Sequence, residues 1–252
     1  MYRRYRVLLS LSLLLSTIII TFFFMGRAEF SFVKVDNNIP IYRVKTEEKN
    51  LAITFDINWA ENDELYNILE VLDKYNVKAT FFIMGGWVNY SDENKEKLIK
   101  IKEGGHEIGN HSYIHPMFTK INEDRMKEEI EKTNKILEDT IGEKVKLFRF
   151  PSGDYNKSST EFVYNQDMIS IQWDVDSLDW KQTSAEYEYN RVMNKVSSGS
   201  ILLFHNNAKY TPKNLDKIIN KLQDEGYKFV KVGEMIYYDN YYIDEKGEQI
   251  KK

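Results

Sequence analysis

Between Leu51 and Val232 the chain alternates short apolar runs with longer stretches in which apolar residues recur every three or four positions. Leu51 to Phe55 reads as a buried strand, and the stretch after it carries Leu65, Ile68, Leu69 and Leu72 at the spacing of one helical face. Ala79 to Met84 reads as the next strand. A charged helix with Leu98, Ile99 and Ile101 stops at Gly104-Gly105, and Glu107 to Gly109 reads as a short apolar turn of chain. Asn122 to Ile141 predicts a long helix, striped by Met126, Ile130, Leu137 and Ile141, with Glu123 in the first turn where the helix dipole favours an acid. Val145 to Phe148, Met168 to Trp173, Ser200 to Phe204 and Lys228 to Val232 are further strand-like runs. Thr211-Pro212 opens a helix bearing Leu215, Ile218, Ile219 and Leu222, and Gly226 stops it. About seven βα units in roughly 190 residues predict an α/β fold with a parallel sheet closed or nearly closed into a barrel, with an open doubly wound sheet as the alternative.

The first residues have another pattern. Arg3, Arg4 and Arg6 precede an uncharged stretch from Val7 to Met25, rich in Leu, Ile and Phe, about the roughly 20 residues that a spanning helix requires. It reads as a signal anchor, with the basic residues on the cytoplasmic side and everything after Arg27 outside. A cleaved signal peptide is the alternative, disfavoured because Gly26-Arg27-Ala28 is a poor small-residue cleavage site.

Of the 252 residues, 42% are hydrophobic and 29% charged, an ordinary globular balance, and the net charge of −4 gives no basic surface for nucleic acid. The chain has no cysteine. That excludes disulfides and thiolate chemistry, so any metal must sit on His, carboxylate or backbone oxygen.

In a parallel barrel the functional side chains gather where strands end. Asp56 ends Thr54-Phe55-Asp56, His111-Ser112-Tyr113-Ile114-His115 comes after the Glu107 to Gly109 segment, and Arg149 leads into Phe150-Pro151-Ser152-Gly153. Asp176-Ser177-Leu178-Asp179-Trp180 lies just beyond Trp173, and His205 ends Ile201-Leu202-Leu203-Phe204. The two histidines four apart suggest a metal pair, since one helical turn would let both imidazoles face one cation; two surface histidines before Pro116 are the bland reading. Asp56 at a buried strand end reads as a base or ligand, or as a helix cap, although residues 57–60 do not look helical. Singly, His205 fits a hydrogen-bonded core histidine, Arg149 a structural ion pair, Asp176 and Asp179 loop carboxylates, and Trp180 packing.

Together and in this order, the five segments resemble the motifs of the polysaccharide deacetylases with a NodB homology domain, carbohydrate esterase family 4, and look closest to sporulation-type and clostridial-type membrane-anchored members. The resemblance covers about Leu51 to Tyr237. It implies a distorted (β/α)7-type barrel, here preceded by one N-terminal transmembrane helix. The domains then run 1–27 for the basic end and signal anchor, 28–48 for a linker, 49–238 for the NodB-type domain and 239–252 for a surface tail. It further implies hydrolysis of N-acetyl groups on an N-acetylated polysaccharide, peptidoglycan or a chitin-like polymer of N-acetylglucosamine or N-acetylmuramic acid, at the outer side of the cell membrane. His111 and His115 would hold a divalent metal, zinc by default, with cobalt, nickel or manganese also compatible with such ligands. Asp56 would be the base, oriented by Arg149; His205 would be the acid, with Asp179 raising its pKa. An N–H near Ser152 would serve the oxyanion, and Leu203, Trp180 and Asp176 would face the substrate.

One departure from that pattern matters. The family's first motif ends in two aspartates, base then metal ligand, and here the second position is Ile57. Asn58, a water or Asp56 itself could complete the shell. Phe150 and Ser152 also replace the commoner proline and tyrosine. Three readings result: an active N-deacetylase, a non-catalytic glycan-binding relative acting at the envelope or in sporulation, and an unrelated barrel enzyme such as a phosphoesterase, for which no Gly-rich phosphate loop is present.

Overall fold

The computed structural model describes residues 39–252. The stretch 7–25 read as a signal anchor lies outside the described residues, and among those described no helix is long and apolar enough to cross a membrane. In chain order the elements are β1 (Arg43–Val44), β2 (Asn50–Ile57), α1 (Leu65–Lys74), β3 (Thr80–Ile83), α2 (Gly85–Val88), α3 (Asp92–Glu103), β4 (Glu107–Asn110), α4 (Glu123–Ile141), β5 (Leu147–Phe148) and α5 (Lys157–Asn165). Beyond them come β6 (Ile169–Ser170), β7 (Val175–Asp176), α6 (Ala185–Met193), β8 (Ile201–His205), α7 (Thr211–Asp224), β9 (Lys228–Phe229), α8 (Val232–Met235), β10 (Tyr241–Ile243) and β11 (Glu248–Lys251).

The main sheet runs β6-β5-β4-β3-β2-β8-β7, with every neighbouring pair parallel, and β9 pairs with the start of β2. Its two ends, β6 and β7, do not pair, so the barrel is distorted and open. Only residues 171–174 separate Ser170 from Val175, a stretch that spans no more than about 18 Å even when extended. The sheet must therefore curl until its ends nearly meet.

Alternation along the strands divides the interior into two layers. Leu51, Ile53, Phe55 and Ile57 of β2 join Phe81, Ile83, Leu202 and Phe204 in the layer packed against the helices, where α1 contributes Leu65, Ile68 and Leu72, and α7 Leu215, Ile218, Ile219 and Leu222. Ala52, Phe82 and Ile201 face the inside of the curl. Burying each large aliphatic contributes about 1.5–3 kcal/mol, which fixes the strand register and so decides which face Thr54 and Asp56 share.

Three segments differ from the sequence reading. Glu107–Asn110 is not a turn but the strand β4, paired with β3. The run Lys228 to Val232 is strand only at Lys228–Phe229, because the Lys231 N–H donates to Glu234 Oε2 and starts α8. Residues 239–252, expected as a surface tail, form a β10-β11 hairpin that pairs with β1 and buries Ile243 and Gln249. Ile41 and Val44 are buried as well, so the chain packs as part of the domain well before residue 49.

His106 is a buried histidine that belongs to the fold: its Nδ1 accepts the Ala79 N–H at 3.1 Å, and burial pushes its pKa down to about 4. A group neutral in the folded state down to pH 4 but charged when unfolded below 6.5 supplies stability above 6.5 that is lost as the pH falls. His106→Gln keeps an acceptor and removes that titration. Between pH 6.5 and 4 the wild type should lose up to about 3 kcal/mol more unfolding free energy than this variant, measured by denaturant titration.

Candidate functional site

The site forms where β2 and β8 end. Their register places Asp56 directly across from His205, with Thr54 across from Leu203, and alternation turns all four toward the inside of the curl. Arg149, fully buried at the end of β5, reaches this point: Nη1 donates to Asp56 Oδ1 and to Thr54 Oγ1 at 2.8 Å each, and Nη2 donates to the Gln172 carbonyl at 3.0 Å. Its guanidinium carbon lies 4.0 Å from the centroid of the Phe82 ring. Burial alone would raise the Asp56 pKa, but its interactions with His111, the Arg149 guanidinium and His205 outweigh it and hold this carboxyl below the usual carboxylate range.

The histidine pair is positioned differently from expectation. Residues 111–115 do not form a helical turn. Ser112 and His115 take the left-handed conformation, at φ 65° and 62°, and the loop is fastened by side chains from elsewhere. Asn110 Oδ1 accepts the Ser112 N–H, and Glu129 Oε2 accepts the Tyr113 and Ile114 N–H groups at 2.7 and 2.8 Å. Gly86 lies beneath the loop and donates its N–H to the Tyr113 carbonyl; a Cβ there would sit 2.6 Å from that oxygen. The outcome still brings the imidazoles together, edge to face with centroids 4.9 Å apart.

His111 Nδ1 faces the Arg149 carbonyl at 2.9 Å. A carbonyl only accepts, so Nδ1 carries the proton and Nε2 presents its lone pair. That Nε2 is buried, has no hydrogen-bond partner and lies 3.5 Å from Asp56 Oδ2. Burial pushes His111 down to about 4 and lowers His115 too, so near neutral pH an electron pair on nitrogen faces a carboxylate. A cation is the species that suits two such groups. The fit has limits, because among the described residues no group of three or more His, Cys, Asp or Glu side chains stands together as a metal-holding set. Ile57 is fully buried in the helix-facing layer.

On the other side of Asp56, His205 Nδ1 bonds to Asp179 Oδ1 at 2.7 Å, and the His205 N–H donates to Asp179 Oδ2 at 2.7 Å. Burial would lower this imidazole, but the Asp179 carboxylate wins and raises it above its ordinary value. Asp179 also accepts the Trp180 N–H and the Thr211 hydroxyl. Trp180 is 53% exposed and Leu203 is buried. Asp176 ties its own loop through the Leu178 N–H. Ser152 is exposed, in a short turn after β5, at φ 56°.

Sequence reasoning missed Thr54, Asn110 and Glu129. Thr54 shares the Arg149 guanidinium with Asp56, and the other two carry the histidine loop. The available signal was Glu129, a carboxylate between Met126 and Ile130 on the apolar stripe of α4, where it is fully buried.

Known proteins bear on this arrangement. The family model of the polysaccharide deacetylases matches residues 43–168. An uncharacterized Bacillus subtilis protein, YlxY, is 36% identical over 197 residues, covering 78% of this chain and 60% of the relative. A peptidoglycan-N-acetylglucosamine deacetylase from Bacillus cereus is 36% identical over 193 residues, covering 73% of this chain and 67% of the relative. The crystal structure of a Bacillus anthracis CE4 family pseudoenzyme superposes with a TM-score of 0.73 at 36% identity, over 79% of this chain and 69% of that one. A mutant of that pseudoenzyme with restored enzymatic activity gives a TM-score of 0.74 at 37% identity, over 79% and 71%.

Glu129→Gln keeps one acceptor for the two loop N–H groups but loses the charge and turns its N–H2 toward the Arg125 guanidinium, which donates to Glu129 Oε1. It should cost about 1–3 kcal/mol of stability, by denaturant titration, and shift the His111 and His115 ring signals in the NMR spectrum of the folded variant. Unchanged ring signals would mean that the loop holds its shape without Glu129.

Proposed function

Because this chain belongs to the polysaccharide deacetylase family, we propose that it is a metal-dependent hydrolase removing N-acetyl groups from the N-acetylglucosamine or N-acetylmuramic acid units of peptidoglycan. One observation carries the reading: a carboxyl held ionised and an imidazole held protonated stand across from each other on adjacent parallel strands. Amide hydrolysis needs that pair, a base for the attacking water and an acid for the departing amine. Relatives named as peptidoglycan-N-acetylglucosamine and N-acetylmuramic acid deacetylases favour this polymer over chitin-like ones.

In this mechanism Asp56 takes a proton from water as the water oxygen bonds to the acetyl carbon, and Arg149 fixes the Asp56 carboxylate for that role. A backbone N–H in the Ser152 turn meets the developing oxyanion. His205, kept charged by Asp179, delivers its proton to the nitrogen as the C–N bond breaks, leaving an amine on the sugar and acetate. Leu203 and Trp180 face the acetyl methyl group, with Asp176 in the loop beside them. His111 and His115 are the residues that would hold a divalent metal, zinc by ligand type or cobalt, nickel or manganese. Such an ion, when bound, polarises the carbonyl and lowers the pKa of its water. The stretch 7–25, as a signal anchor, would hold the domain at the outer face of the cell membrane, beside its polymer.

A second reading, glycan binding without hydrolysis, draws on Ile57 where the family has a ligand and on the likeness to a pseudoenzyme.

The two readings separate in one experiment on the domain from Ala28 onward: metal content, then acetate release from N-acetylated peptidoglycan. The first expects both. No bound metal and no acetate would favour the second. His205→Ala should lower turnover about 10²–10⁴-fold with metal retained. Asp179→Asn removes the charge that raises His205, so the alkaline limb of the pH profile should move to lower pH. Ile57→Asp places a carboxyl in an apolar layer, so the metal-free variant should melt below the wild type, and zinc should raise its Tm more than the wild type's. An equal zinc-induced shift in both would mean that position 57 does not reach the cation.

A further inference from the structure

Glu188, in α6, plays no part in the reaction above, yet it is buried to 2% exposure. Its Oε1 lies 3.2 Å from Thr211 Oγ1, and Thr211 Oγ1 lies 3.0 Å from Asp179 Oδ2. A hydroxyl carries one proton. With both carboxyls ionised, Thr211 could serve one of them, and the other would face only lone pairs. Beside it the Asn214 amide gives one N–H to the Ala185 carbonyl, and its other N–H favours a charged Glu188, while Glu188 Oε2 and Asn214 Oδ1 lie buried without a close partner. The facing oxygens of Asp179 and Glu188 still share the single Thr211 proton, and a proton on Glu188 supplies the missing one. Of the groups around it, Asp179 faces Glu188 with a charge, Thr211 and Asn214 from α7 are neutral, and Arg191 lies one turn further along α6 itself. Burial and the Asp179 charge accordingly push Glu188 up to about 7.

We propose that Glu188 is a positioning residue that works as a neutral acid: its proton goes to Thr211 Oγ1, the Thr211 proton goes to Asp179 Oδ2, and Asp179 is thereby held against the His205 imidazole. Its consequence for turnover rests on the deacetylase reading, but the proton arrangement does not. Neither half of the test therefore requires activity.

The first half compares the full chain with Glu188→Gln, which has the same shape and never ionises. Unfolded, Glu188 loses its proton near 4.5; folded, near 7. The folded state therefore binds the extra proton in that window, and wild-type stability must fall as the pH rises through it. The ratio of unfolding constants, wild type over variant, should grow by up to about a hundredfold between pH 4.5 and 7.5. A ratio independent of pH would overturn the proposal.

The second half tracks the His205 Nδ1 proton by NMR at pH 6. Its hydrogen-bonded signal should persist in Glu188→Gln, broaden through faster exchange in Thr211→Val, and return in Thr211→Ser. A signal unchanged by Thr211→Val would show that the hydroxyl does not brace Asp179, and the proposal would fall. If the chain proves to bind glycan without hydrolysing it, both results stand; if it hydrolyses glycan and either result fails, only the role of Glu188 is lost.

Discussion

The Arg149–Asp56 ion pair is the constraint on which the site depends. A guanidinium with no exposure and a carboxyl at 4% lose their hydration on folding, a cost of several kcal/mol for each ion. Only dense coordination offsets such a loss. Arg149 gives its donors to Asp56, Thr54 and the carbonyls of Ile171 and Gln172, groups from the central strand β2 and from the stretch that bridges the two ends of the sheet. Its own carbonyl takes the His111 Nδ1 proton, and its N–H reaches the Asn110 carbonyl. One side chain and its peptide thus set the curl of the sheet, the direction of the Asp56 carboxylate and the tautomer of His111. Removing either ion would leave the other buried and uncompensated, typically a loss of about 3–5 kcal/mol.

That constraint also divides the site electrically. Asp56 is drawn to the charged form by cations around it, while His205 is drawn to the charged form by Asp179. Because the two face each other across adjacent strands, each favours the ionised state of the other. A base that stays ionised and an acid that stays protonated over a common pH range is what amide cleavage asks for, and here it results from fixed charges placed at strand ends.

The sequence made legible those parts of the site that depend on strand ends. Asp56, Arg149 and His205 each close a short apolar run, and in a parallel sheet that alone brings them to one rim. Five of the seven strands of the main sheet path, α1, α3, α4 and α7 were also readable from periodicity, because burial against the sheet imposes it; β4 and the two-residue β7 were not. The histidine loop was not. Between its two left-handed residues the Tyr113 and Ile114 N–H groups are held by Glu129, some fifteen positions away, and spacing within the loop carries no trace of that partner. The hairpin of β10 and β11 was hidden for a similar reason: its strands are rich in Tyr and charge, and they are ordered by pairing with β1, about two hundred residues upstream. Glu129 and Glu188 share one overlooked signal, a carboxylate among the apolar residues of a helix face.

Ile57 shows how closely core and site are joined. Strand alternation sends Asp56 toward His111 and Ile57 into the layer under the helices, among Phe55 and Ile83. A carboxylate at 57 could reach the imidazoles only if the last residue of β2 left the pleat, and isoleucine is the residue that keeps it there: β-branched, buried, and paired in register with Ile83. The aliphatic side chain therefore does more than omit a ligand. It closes β2 inside the apolar layer and offers no side-chain donor beside Asp56. The supply of polar donors to the site and the stability of the strand end are thus set against each other at a single position.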